Sequence, residues 1–253
     1  MPDPFYRKSR SGAGTHERAM RGAALLQSRG IDFHVISVVS DNSLDHADAI
    51  FDFFVSNGIM RFGFNVEEQE GIHEKSSLAE SGNERVEAFF RRIFERQKSM
   101  GGAVRVREFD FALQRILGRR SAPENKFIFE NEQVRPFGIL NIDWQGNFST
   151  FSPEMLGIVT NKYGPFIFGS FLEGGLDAVL GNGRFLDVLR DTRAGVERCQ
   201  RECGFFSLCG GGAPANKYFE NGTFDSAVTA YCRNIIQLPI NIVLEDLERG
   251  LVK

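Results

Sequence analysis

The stretch FHVISVVSDNSLDHADAIFDFFVSNGIMRFGFNV, residues 33–66, decides the fold. It opens on an apolar, β-branched run from Phe33 to Val39, bounded by turn-forming residues, which predicts a buried strand. Ser43 or Asp45 is placed to cap a helix whose Ile50, Phe51 and Phe54 turn inward, and Asn57-Gly58 stops it. Met60 to Val66 predicts a second strand. Strand, helix and strand at this spacing build a parallel sheet with a right-handed crossover. Upstream, Thr15 caps a helix to about Ser28, with Met20, Ala23, Ala24 and Leu26 at helical spacing and Gly30 at its end. Downstream of the acidic loop Glu67–Gly71, Asn83 precedes a long amphipathic helix to about Met100 carrying Val86, Phe89, Phe90, Ile93 and Phe94. Val104 to Leu117 predicts a strand end and another helix. The expected class is therefore α/β.

The polar segment Arg119–Glu132 reads as a linker, dividing the chain into residues 1–132 and 133–253. Beyond it, Phe137–Ile142, a turn at Asp143–Asn147 and Phe148–Phe151 predict a β-hairpin. Tyr163–Phe171 is glycine-punctuated strand or loop, and short helices are expected near Leu176–Leu180 and Arg184–Leu189. A terminal helix from about Asn234 to Arg249 contains Pro239, which should kink or interrupt it.

The chain has 253 residues, 30 Lys+Arg against 33 Asp+Glu, and a formal net charge of -3, so no basic excess argues for nucleic acid or an anionic membrane surface. No run approaches the ~18 to 20 apolar residues of a bilayer span, and Met1–Arg10 carries no signal-peptide apolar region, so a cytoplasmic protein is expected. The 25 Phe beside a single Trp predict a phenylalanine-rich core. The four cysteines, Cys199, Cys203, Cys209 and Cys232, all fall in the last quarter of the chain. In a reducing compartment such a cluster reads as a metal site before it reads as two disulfides. Cys199 and Cys203 lie one turn apart if their segment is helical, Cys209 follows, and Cys232 returns from a distance. This three-plus-one spacing leans to iron–sulfur, with structural zinc as the alternative. Gly210, Gly211 and Gly212 would let backbone N–H groups approach cluster sulfur. Glu220-Asn221-Gly222-Thr223 reads as a hairpin-type turn that brings Cys232 back toward the other three.

The region Cys199–Cys232, with CGGGAPANKYFENGTF at 209–224, resembles the C-terminal SPASM region of radical S-adenosylmethionine (AdoMet) peptide maturases, and most of all the cyclophane-forming type acting on glycine-rich precursor peptides. RSGAGTH (10–16), GFNVEEQEG (63–71) and DWQGNFSTFSPE (143–154) fit the same pattern in order. The resemblance implies an incomplete (β/α) radical SAM partial barrel followed by a small α+β SPASM-like iron–sulfur domain. The fuller SPASM pattern uses seven cysteines for two auxiliary clusters. Phe151, after Gly146, and Ala213, after Cys209, occupy two of those positions, so the resemblance implies one auxiliary [4Fe-4S] cluster on Cys199, Cys203, Cys209 and Cys232.

The family also carries three cysteines after its first barrel strand for the catalytic cluster, and this sequence has none there. The match begins after the family's fourth strand. The expectation is thus an N-terminally truncated family member, inactive alone, in which AdoMet and a second [4Fe-4S] cluster enter only with a separately encoded N-terminal barrel half. Its expected partners are that half and a precursor peptide. The competing class is a non-catalytic, metal-stabilised (Fe–S or Zn) peptide-binding or docking subunit.

Asn65 and Glu67 alternate with Val66 along the second strand, and the resemblance turns this rim toward the AdoMet and substrate cavity, making both candidate cofactor-binding residues. Glu68 and Glu70 read as a solvated acidic loop. His16, His34, His46 and His73 show no ligand spacing. Asp143 reads as a turn residue, and Trp144 as a packing indole.

Overall fold

A computed structural model describes residues 8–71, 73–121 and 130–251. Helix α1 (His16–Ser28) leads into strand β1 (Val35–Val39), and a 3-10 segment from Asp41 to His46 precedes α2 (Ala47–Ser56). Ser43 and Asp45 therefore sit within that tight turn, where the Ser43 hydroxyl accepts from the Ser40 backbone N–H at 3.1 Å. Then come β2 (Arg61–Val66), the single turn α3 (Leu78–Ser81), α4 (Asn83–Ser99), β3 (Arg105–Val106) and α5 (Arg107–Ser121). The three strands form one parallel sheet in the order β1-β2-β3, with Val35 opposite Phe62 and Phe62 opposite Val106. The strand–helix–strand reading of 33–66 is thus realised. Most of the expected linker, residues 122–129, lies outside the described residues.

Pleating sends Phe62, Phe64 and Val66 of β2 to one face, where α2 and α4 bring Phe51, Phe54, Phe89, Phe90 and Ile93. The rings meet mainly edge to face, as between Phe64 and Phe89 at 5.3 Å, with Phe54 stacked on Phe62 at 4.5 Å. β1 departs from the expected buried strand. It is an edge strand, and its alternate residues Ile36 and Val38 are 46% and 55% exposed on the face away from the helices. Apolar character on both faces suits a strand covered on both sides, but among the described residues only one face is covered.

On that opposite face of β2, Gly63 admits the side chain of Arg107. A Cβ there would lie 2.8 Å from Arg107 Cβ and 2.9 Å from its Nε. Arg107 donates to the Phe64 carbonyl at 2.6 Å and to Asn65 Oδ1 at 2.8 Å. Glu108, buried, accepts from Arg107 Nε at 2.7 Å and from the Phe64 N–H at 3.1 Å.

The second half carries the hairpin β4 (Leu140–Ile142) and β5 (Asn147–Thr150), then β6 (Val159–Thr160), β7 (Gly164–Pro165) and β8 (Gly169–Ser170). β4, β5 and β8 form one antiparallel sheet, and β6 pairs with β7. Asp143 makes the hairpin turn by accepting from the Gln145 and Asn147 N–H groups at 2.8 and 2.9 Å. Trp144 is not a packing indole: at the turn tip it is 91% exposed. A 3-10 segment, Leu176–Gly181, leads to α6 (Gly183–Glu202), which is no short helix but runs unbroken through Cys199. The Asn182 side chain caps it by accepting from the Phe185 N–H. A second core gathers Phe148, Phe151, Phe166, Phe168, Phe185 and Phe224.

The last elements are α7 (Phe206–Cys209), α8 (Pro214–Asn221), a π-helical turn at Cys232–Gln237, and α9 (Leu238–Leu251). Glu220–Thr223 is not a hairpin turn. It ends α8, with Gly222 in the left-handed conformation (φ 73°) and its N–H bonded to the Tyr218 carbonyl. Pro239 does not break the chain out of helix: it is the second residue of α9, and the interruption takes the form of the π-helical turn Cys232–Gln237 directly before it. Leu208, Ile240, Ile242 and Val243 enter the first core, so the C-terminal segment returns to the parallel sheet.

Candidate iron–sulfur site

α6 delivers Cys199 at its end, and Cys203 is its C-cap residue, with its N–H bonded to the Cys199 carbonyl at 2.9 Å. The single turn of α7 ends on Cys209, and Cys232 opens the π turn, its N–H donated to Thr229 Oγ1 at 3.0 Å. All four cysteines line one small cavity together with Phe205, Gly212, Ala227, Val228, Ile236 and Gln237. All four are free thiols.

The glycine run shapes this cavity. Gly210, Gly211 and Gly212 take φ values of 68°, 113° and 73°, which side-chain-bearing residues rarely adopt. The N–H groups of Gly211 and Gly212 face the Cys209 sulfur and favour its thiolate form. A Cβ on Gly212 would stand 3.2 Å from Cys232 Sγ. Gln237 Nε2 points to Cys203 Sγ at 3.8 Å. Burial pushes the Cys199 and Cys209 thiols above the ordinary range, while Lys217 beside Cys199 and the Gly211 and Gly212 N–H groups at Cys209 pull the other way.

These side chains suit an anionic sulfur-ligated group: four thiols around one cavity, glycine N–H groups beside Cys209, apolar walls and the buried Lys217. Among the described residues, no group of three or more His, Cys, Asp or Glu is placed to hold a single metal ion. A lone zinc ion needs four sulfurs about 2.3 Å from one point, a tighter convergence than a multi-iron core requires.

A neighbouring cavity shares Cys209, Gly212 and Cys232 and opens toward the uncovered face of β2, reaching Asn65, Arg107, Arg115 and Tyr231. Asn65 is thereby brought to the cysteines. Glu67 is not. It faces another cavity, with Glu68, Glu220 and Tyr231, and its carboxylate accepts from the Ser77 N–H at 2.7 Å. The two candidate rim residues diverge because Glu67 lies past the end of β2, beyond the strand's alternation.

Glu68 is not a solvated loop residue. It is half-buried, accepts from Asn216 Nδ2 at 2.6 Å, and its carboxyl is pushed up to about 7, by burial first and then by Glu70, Glu154 and Glu220, against the pull of the Asn216 bond. A pKa raised on folding favours the native state below about pH 4.5, and that advantage is lost as pH rises through about 7. Glu68→Gln should leave stability at pH 4 unchanged and raise it at pH 8 by about 1–2 kcal/mol, a figure reduced for the group's partial exposure. Urea unfolding of both proteins at the two pH values measures this. Glu68, Lys217 and Gln237 escaped the sequence reading, since nothing local to them marks their burial.

No protein-family model matches the chain. Its α/β fold is similar to that of anSMEcpe, solved with AdoMet bound. The native form superposes with a TM-score of 0.64 at 18% identity, covering 98% of this chain and 65% of that one. The form holding AdoMet and the Cp18Cys peptide gives 0.63 at 18% identity, covering 98% and 66%. A curated relative, the uncharacterized protein sll1766 of Synechocystis sp., is 40% identical over 247 residues, 97% of this chain and 61% of the relative. The chain therefore spans about three fifths of that relative's length. Among the described residues, no helix is long and apolar enough to cross a membrane.

Proposed function

We propose that this chain is the C-terminal portion of a radical SAM/SPASM enzyme that crosslinks or otherwise matures a ribosomal precursor peptide. One auxiliary [4Fe-4S] cluster is held by Cys199, Cys203, Cys209 and Cys232. The observation that carries this reading is the gathering of all four cysteines around one cavity, from α6, its C-cap, α7 and the π turn. The shared fold with AdoMet-bound and peptide-bound anSMEcpe supports AdoMet and a peptide as ligands of the whole assembly. When bound, the cluster supplies one-electron chemistry beside the peptide. The chain's own residues line the adjoining cavity: Asn65 and Arg107 on its polar side, and Ile235, Ile236 and Ile240 on its apolar side.

The reading places residues 1–132 as barrel and 133–253 as SPASM-like domain, in the cytoplasm. The catalytic cluster would come with an N-terminal barrel half docked on the open edge of β1. The exposed Ile36 and Val38 on the uncovered face of the same strand also favour a second reading, a metal-stabilised docking subunit without chemistry of its own.

Anaerobic reconstitution with ferrous iron and sulfide tests the first reading. The expected result is about four iron and four sulfide per chain with charge-transfer absorption. Stoichiometric zinc with no iron or sulfide would overturn it. AdoMet cleavage by the chain alone would overturn the need for a second barrel half.

A further inference from the structure

Lys217 is 2% exposed, and among the described residues no carboxylate lies within ion-pair distance of it. Its recorded acceptor is a neutral carbonyl, that of Gly195 in α6, at 2.9 Å from Nζ. An ammonium taken out of water and given one carbonyl is costly to bury, because a single neutral acceptor does not offset its lost hydration. Its position adds to that cost. Lys217 stands in the first turn of α8, where the backbone dipole favours negative charge, and its own N–H closes on the Ala213 carbonyl.

Two glycines make room for the side chain. Nζ lies 3.2 Å from where a Gly195 Cβ would stand, and Cε 3.7 Å from where a Gly212 Cβ would stand. The same Gly212 position is 3.2 Å from Cys232 Sγ. The slot therefore runs between the helix that carries Cys199 and the glycine loop that follows Cys209, and the ammonium ends on the Gly195 carbonyl, one turn before Cys199 on that helix. A buried cation facing a pocket of cysteines has its counter-charge in the thiolates and in whatever anionic core they hold.

We propose that Lys217 is a positioning residue for the cluster, a fixed buried positive charge that favours the more negative, reduced form and so raises its potential. The inference rests on the cluster assignment above. A four-iron core with four thiolates passes from a net charge of -2 to -3 when it takes one electron from the titrant, with no proton moving. A cation nearby lowers the energy of the second state more than the first. Truncating the charge while keeping the packing should make reduction harder.

The test compares the reconstituted wild-type chain with Lys217→Met and Lys217→Arg by iron and sulfide analysis and by dithionite titration followed by electron paramagnetic resonance. Lys217→Met should keep its iron and show at least a tenfold less favourable one-electron reduction, a shift of 59 mV or more to negative potential. Lys217→Arg should stay near the wild-type potential. An unchanged potential in Lys217→Met with full iron overturns the proposal and leaves the cluster assignment intact. Wild-type protein that takes no iron overturns the cluster assignment itself. Should Lys217→Met take no iron, Lys217→Arg decides: recovery of iron at the wild-type potential supports the role of the charge, and failure to recover overturns it.

Discussion

Replacing Cys232 by alanine is expected to abolish iron and sulfide binding and leave the metal-free fold almost unchanged. Cys199, Cys203 and Cys209 lie at the junction of α6 and α7, whereas Cys232 opens a π turn beyond α8. Its sulfur approaches the position of a Gly212 Cβ to 3.2 Å, so it closes the cavity from the side the other three leave open. Without it, three thiolates face a cavity whose fourth wall is alanine, and one iron of the core lacks its ligand. Removing a single sulfur from the metal-free chain costs about 1–2 kcal/mol, at the small end of buried truncations. Binding to the native state alone stabilises by mass action, so the large effect appears only after loading. The measurement is iron and sulfide content together with melting temperature before and after reconstitution. Wild type should gain several degrees on loading, and Cys232→Ala none. A Cys232→Ala protein that retains iron, sulfide and the loading shift would remove Cys232 from the ligand set.

The parallel sheet was legible because its signals are local. Phe62, Phe64 and Val66 alternate, and Phe51, Phe54, Phe89 and Phe90 recur at helical spacing, so pleat and helix period each leave a mark in a few residues. The four cysteines were legible as a group for the same reason of rarity and spacing. What escaped depends on distant partners. Ile36 and Val38 read as buried because nothing in β1 says that its outer neighbour is absent among the described residues. The run Glu220–Thr223 has the composition of either a hairpin turn or a helix end, and the preceding Pro214, which starts α8, decides between them. Glu68 reads as an exposed acid until Asn216, far along the chain, closes over it. Lys217 carries no sequence mark of burial at all, since its slot is made by Gly195 and Gly212 from two other segments.

Gly195→Ala is expected to destabilise the protein by about 2–3 kcal/mol, against the sign that helix propensity alone would give. Alanine is the better helix former by about 1 kcal/mol, so in an open helix the substitution would be favourable. At Gly195, however, a Cβ would stand 2.0 Å from the Phe224 carbonyl oxygen and 3.1 Å from its carbon. Those are backbone atoms of a buried residue stacked against Tyr218 at 5.1 Å, so they cannot swing aside as a side-chain end could. Either α6 moves off or the segment leading to Cys232 does, and overpacking of this kind typically costs about 1–3 kcal/mol beyond any propensity gain. The displacement also strains the Lys217 bond to the Gly195 carbonyl and shifts Cys199, one turn further along α6, so iron uptake should fall along with stability. Gly183→Ala supplies the control. It lies at the start of the same helix with nothing within 4 Å of its Cβ position, and should be neutral or stabilising by about 0.5 kcal/mol. Urea unfolding of the two variants, with iron content after reconstitution, separates close backbone contact at Gly195 from a general effect of glycine in α6. Equal stabilisation in both would show that α6 does not press on Phe224, and the slot that holds Lys217 would lose its wall.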